Sequence, residues 1–207
     1  MDAQNRIEQP AQLSEHYGDP NPVAVAVEKT YLDKHHKNFI ANSPFVCVAT
    51  SGADGQPSIS PKGDAPGFVK VIDATTLVLP DRPGNNKVLS FRNLVENEKI
   101  AIIFFVPGVR EALRVEGVAQ IVLDEETLEL GRAKDKLPRA ATVVKVTKAY
   151  VHCGKSVIRS NLWDKDAKAG AANITSFAEV IREQTNTPKS IQDVEAFIDH
   201  EYSEFLY

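Results

Sequence analysis

The run Leu79-Pro80-Asp81-Arg82-Pro83-Gly84-Asn85-Asn86-Lys87 concentrates more potential chemistry than any other stretch of this sequence. It lies where a strand hands over to a helix, so main-chain N–H groups at the helix start would face whatever binds there. Gly84 permits close backbone approach, and Arg82 and Lys87 bracket the expected helix start with positive charge. These are the ingredients of a phosphate cradle, although the spacing is that of neither a P-loop nor a dinucleotide fingerprint. A capped turn with two solvated cations is the plainer reading. In Ser58-Ile59-Ser60-Pro61-Lys62, alternation puts Ser58, Ser60 and Lys62 on one face of a strand end, which suits a polar rim or a polar ligand. Lys155, Arg159 and Trp163 recur at i, i+4 and i+8, on one side of a helical turn. Two cations and an indole could stack on or pair with an aromatic anion, or could equally be a solvated helix with a buried ring.

Other candidate chemistry is thinner. His35 and His36 are neighbours, about 100° apart on a helix, and cannot chelate together. His16 and His200 have no companions, and His152-Cys153 would need ligands from elsewhere, so no metal site is expected. Cys47, in an apolar strand, reads as a small core residue. No side chain stands out as an acid–base catalyst, and catalytic residues stay unassigned.

The elements that must position these groups follow from composition and pattern. The 207 residues (22.7 kDa) are 43% hydrophobic and 25% charged, as expected of one globular domain. A net charge of −4 and a pI near 5.8 give no basic field for nucleic acid or anionic lipid. The polar start has no signal-peptide pattern, no apolar run approaches the ~18 residues of a membrane span, and two distant cysteines suit a reducing compartment. The expected location is cytoplasmic.

Residues 1–19 read as a loosely held arm, and Val23 to Asn42 as one amphipathic helix closed by Ser43-Pro44. Strands are expected at 45–50, at 58–60 (stopping or lying on an edge at Pro61), at 68–72, 76–79 and 143–152. Lys99 to Val106 reads as a strand buried on both faces, and Glu111 to Leu123 as a long strand bent at Gly117. Short helices are expected at Asn86–Glu96 and, capped by Asp124, at Glu125 to about Lys134. Ser176 and Ser190 open capping boxes for two more, with Ile191, Val194, Ile198 and Phe205 lining one face of the last. The fold class is mainly β with flanking helices: six to seven antiparallel strands in a closed barrel with Greek-key or meander links. One domain spans 1–207, with the arm and helix at 1–42, the barrel at 43–153 and a helical tail at 154–207.

Taken together, four signatures resemble the pyridoxamine 5′-phosphate oxidase superfamily of FMN-binding split barrels, and most closely its pyridoxamine 5′-phosphate oxidase-related branch. They are Ser-Pro-Lys-Gly-Asp (60–64), the run at 79–87, Leu-Arg-Val-Glu-Gly (113–117), and His-Cys-Gly-Lys (152–155) through Arg159-Ser160 to Trp163. The likeness covers roughly Ser43 to Trp163. It implies that Lys62 falls at a strand-end lysine near flavin and substrate, that the backbone of Pro80 and Asp81 lies along the cofactor, and that Asn86 and Lys87 fall on the family's Arg-Lys pair at the flavin phosphate. It places Arg114 on a strand that contacts the flavin ring. Lys155, Arg159 and Trp163 correspond to a segment that reaches the flavin across a dimer interface. There are departures. Pro57 stands where true pyridoxamine phosphate oxidases have an arginine, Ala112 replaces a glutamine, and the arginine-rich ending that grips the vitamin B6 substrate gives way to an acidic helix. Asn86 replaces the arginine of the phosphate pair, leaving Arg82 to supply that charge.

The resemblance therefore implies a homodimeric FMN-dependent oxidoreductase with the flavin at the subunit interface, a small-molecule substrate, and no nucleic-acid or membrane partner. The protein's part is to hold the ring and tune its potential, with Arg114 and Lys155 the cations expected near N1 and the C2 carbonyl. A non-enzymatic flavin-binding or sensory protein would use the same pocket. Haem would want an axial histidine, for which only His152 is near, and a deazaflavin tail would want a longer basic groove.

Overall fold

A computed structural model describes residues 6–164, 170 and 173–207. The beginning of the expected arm, residues 1–5, lies outside the described residues. Seven strands form one wholly antiparallel sheet: β1 (Phe45–Ser51), β2 (Pro57–Gly63), β3 (Lys70–Val71), β4 (Thr76–Pro80), β5 (Lys99–Phe105), β6 (Ala112–Val122) and β7 (Ala141–His152). Their order is β2-β1-β5-β6-β7-β4-β3. The ladder ends at β2 and β3 without joining them, so the barrel is split rather than closed, as the resemblance implies. Pro61 is tolerated because β2 is an edge strand, paired only with β1, where Pro61 faces Cys47.

The curled sheet gathers its inner side chains into one core, including Val46, Ile102, Phe104, Leu113, Val115, Val144 and Leu77, sealed by Leu32, Ile40 and Leu94 from the helices. At Glu116/Gly117 the β6–β7 register shifts, and a side chain at 117 would collide with the Lys145 carbonyl. The bend expected at Gly117 is this bulge.

Three expectations of local structure are corrected. The helix over Val23 to Asn42 is two, α2 (Pro22–Ala26) and α3 (Lys34–Asn42), and the arm before them carries α1 (Pro10–Tyr17). The break falls where the chain is tied to the sheet: Lys29 bridges Ala149 and the Leu32 N–H donates to the Ala74 carbonyl at 2.6 Å. Asp33 then caps α3 through the N–H groups of His35 and His36 at 2.8 and 3.0 Å. β5 is buried on one face only, its burial alternating along the strand, whereas every residue of β4 is buried. Cys47 belongs to the same half-exposed outer face as Ala101 and Ile103, not to the core.

The remaining helices are α4 (Leu89–Glu96), α5 (Glu125–Glu129, shorter than expected), α6 (Lys155–Ser160), α7 (Phe177–Thr185) and α8 (Ile191–Glu204). Ser176 and Ser190 cap α7 and α8 as expected. On α8 Val194 is buried and Ile191 and Ile198 are half-buried, but Phe205 lies past the helix end and is 56% exposed. Among the described residues no helix is long and apolar enough to cross a membrane.

Candidate functional site

An open cleft of about 450 Å³ lies between the end of β2, the end of β4 with the segment after it, and the start of α4. Its size is ordinary for a small-molecule site. Ser58, Ser60 and Lys62 line it from β2 as half-buried residues, as their alternation requires, while Ile59, also at its edge, is 72% exposed. Pro80, Asp81, Arg82, Asn86 and Lys87 line it from the other side.

The helix begins three residues later than its sequence indicates. Asn86 (φ 54°) and Val88 (φ 45°) both take the left-handed conformation, and α4 starts only at Leu89. Arg82 and Lys87 therefore both precede the helix instead of bracketing its first turn. A left-handed β-branched residue is costly, and its position at the cleft lip marks a conformation imposed by the surrounding structure. Val88 gives the helix no side-chain cap, and the first residues of α4, Leu89 and Ser90, line the cleft, so the positive end of the helix faces it. An added Cβ at Gly84 would meet no protein atom. Packing within the chain therefore does not require a glycine at this position.

Behind the cleft, Asn93 of α4 donates to the hydroxyls of Thr50 and Ser58 at 3.0 and 2.9 Å. These bonds fix α4 against β1 and β2, and so fix the cleft's back wall. Lys62 Nζ lies 3.9 Å from Asp81 Oδ1 and 5.8 Å from the centre of the Phe91 ring. Burial pushes the Asp81 carboxyl above its usual range, against the opposing pull of Lys62, Arg139 and Arg82.

Arg82 is already engaged. Its Nε donates to Asp64 Oδ2 at 2.6 Å, and the Asp64 side chain is only 4% exposed. The cation missing from the sequence reading is Arg139, exposed on the segment before β7, which lines the cleft and donates to Asn86 Oδ1 at 3.0 Å. No local motif announces it. It arrives because Pro80 pairs with Ala141 and the Asp81 N–H donates to the Ala140 carbonyl at 2.9 Å, which fixes residues 139–141 beside the 80–82 segment.

Four expected site residues do not line this cleft. Arg114 is on the outer face of β6, 3.6 Å from Glu116 and 5.3 Å from the Tyr150 ring centre. Lys155 and Arg159 are exposed on α6, and Trp163 follows it, donating from Nε1 to the Val109 carbonyl at 2.8 Å. Gly154 seats α6 on Arg110, where a Cβ would clash. Within one chain these residues form a second group, anchored on the β5–β6 connection. Among the described residues no cluster of three metal-ligating side chains occurs.

The sequence matches the pyridoxamine 5′-phosphate oxidase profile over residues 32–153, more than half its length. The chain belongs to the pyridoxamine 5′-phosphate oxidase family. That match spans the whole sheet and every cleft-lining residue named above, so the basic cleft lies inside the matched region. No curated protein matches the chain. Among solved structures it is similar to HupZ of Group A Streptococcus, with 23% identity and a TM-score of 0.48, covering 58% of this chain and 93% of that one. An FMN-binding protein from Syntrophomonas wolfei is 15% identical with a TM-score of 0.43, covering 56% and 82%. A Clostridium acetobutylicum protein of the pyridoxinephosphate oxidase family is 19% identical with a TM-score of 0.41, covering 57% and 86%.

Proposed function

We propose that this chain is an FMN-dependent oxidoreductase acting on a small molecule, working as one split-barrel domain with helical appendages in a homodimer. The observation that carries this reading is the convergence of Lys62, Lys87 and Arg139 on one cleft, at the uncapped start of α4, in a member of this family. A flavin phosphate would find there two cations not committed to a buried carboxylate, Lys87 and Arg139, with Asn86 between them. Bound FMN supplies the electron-transfer chemistry. Lys62 and Asp81 stand at the strand ends, where a ring or a substrate would be held, and Ser58 and Ser60 offer hydroxyls along the same wall.

The dimer gives the second group a purpose. The outer face of β1 and β5 presents Phe45, 40% exposed, together with half-exposed Cys47, Ala101, Ile103 and Phe105. Arg114 borders that face. A two-fold contact there would carry Arg114, Lys155, Arg159 and Trp163 toward a partner's cleft, which their own chain's cleft does not use.

Pyridoxamine 5′-phosphate should turn over poorly, because Pro57 and an acidic helix replace basic groups that would grip it. The first test is the absorbance spectrum of the purified protein, with release and identification of the cofactor. FMN bands, bleached by anaerobic NADH or NADPH, are expected. A colourless protein that takes up no FMN would overturn the reading, and a yellow protein inert to every donor would favour a binding or sensory role.

A further inference from the structure

Tyr207 lies more than a hundred residues from every segment of the cleft except that of Arg139, yet it bonds to both of its walls. Its hydroxyl donates to Asp64 Oδ1 at 2.7 Å, just past β2, and its main-chain oxygen accepts from Lys136 Nζ at 2.7 Å, on the segment that carries Arg139. Lys134 Nζ sits 4.3 Å from the centre of its ring and the Arg82 guanidinium 5.8 Å. Asp64 is the hinge of this arrangement. Its buried carboxylate takes the Tyr207 hydroxyl and the Ala65 N–H (2.7 Å) on one oxygen and Arg82 Nε on the other. Burial alone would raise its pKa, but these three donors outweigh burial and hold it below the usual range.

A carboxylate shared in this way restrains Arg82 without claiming it wholly. With Oδ1 satisfied by Tyr207 and Ala65, Asp64 keeps less of its charge for the guanidinium, which can then serve an anion in the cleft. Without the hydroxyl, Asp64 would draw Arg82 more tightly to itself. We infer that Tyr207 is a positioning residue for the cleft: through Asp64 it sets Arg82 for an anionic ligand, and it ties the β2 wall to the wall bearing Arg139. This rests on the flavin reading for the identity of the ligand, the phosphate-bearing FMN, but not for the strap itself.

The test is Tyr207→Phe in the intact 207-residue chain, which keeps the ring and removes the hydroxyl. FMN should bind about tenfold more weakly, roughly the worth of one hydrogen bond to a charged group, while riboflavin, which lacks the phosphate, changes by less than about twofold. Asp64→Asn, which removes the charge that competes for Arg82, should not weaken FMN binding, and Tyr207→Phe added to it should change FMN affinity by less than about twofold, because both act through one path. Unchanged FMN affinity for Tyr207→Phe, equal losses for FMN and riboflavin, or a Tyr207→Phe loss that persists in the Asp64→Asn background would overturn the inference. If the wild-type protein binds neither flavin, the flavin reading fails, and the strap is still read from the Arg82 Nε–H resonance. Tyr207→Phe should shift that resonance, and a resonance that does not move would overturn the strap as well.

Discussion

The cleft and the α6 region both hold basic side chains, but they are built in opposite ways. In the cleft, cations gather around irregular backbone: two left-handed residues, an uncapped helix start and a buried carboxylate that pins Arg82. α6 also starts without a side-chain cap, but its left-handed residue is Asn161 at the C-cap, a residue type that adopts this conformation readily. The helix is tightly seated, Gly154 against Arg110 and Trp163 on Val109, while Lys155 and Arg159 stand in solvent. Under the proposed function, strain and desolvation at the cleft support a ligand site there, and the exposed cations of a well-anchored α6 support a surface turned toward a partner.

The largest expected effect tests the cleft half of this contrast. Lys87→Ala combined with Arg139→Ala should weaken FMN binding by about 3 kcal/mol or more, two charge-assisted hydrogen bonds, with little change for riboflavin. Fluorescence titration with the two flavins reads the difference, and equal losses would place the phosphate elsewhere. The α6 half is tested by Trp163→Ala. Loss of its bond to Val109 should cost about 1–2 kcal/mol and shift sedimentation from dimer toward monomer, releasing flavin as it does. A variant that stays dimeric with its flavin would show that α6 is only an anchored surface helix.

A smaller effect measures the strain itself. Val88→Gly removes the left-handed penalty and should raise stability by about 1 kcal/mol, seen as a higher Tm, since the side chain is 46% exposed and little packing is lost. A lower Tm would mean that the valine side chain, and not the helix junction, sets the lip.

The smallest effects come from two carboxylates that flank the same cleft with opposite shifts. Asp64, held low by its donors, contributes stability that is present above its ordinary pKa of 3.8 and lost as the pH falls through its lower folded value. Asp81, raised by burial, contributes stability present below 3.8 and lost as the pH rises through its folded value. Denaturant unfolding at neutral pH should therefore find Asp64→Asn less stable and Asp81→Asn more stable than the parent. The same sign for both would show that they do not occupy distinct environments.

Periodicity and punctuation determined much of this protein. Alternation made the strands legible and placed Ser58, Ser60 and Lys62 on one face, proline restricted β2 to an edge, and Ser176, Ser190 and Asp124 announced their helices, because these signals act within a few residues. What the tertiary structure decided was longer in range. Strand pairing delivered Arg139 to the cleft, and a contact spanning 143 residues delivered Tyr207 to Asp64. Packing also held Val88 in a conformation its own preferences oppose, so α4 begins late, and the Lys29 and Leu32 bonds to the sheet divided one periodic helix into two. Local sequence sets which conformations are cheap. Only the assembled sheet sets which distant side chains meet and which costly conformations are kept.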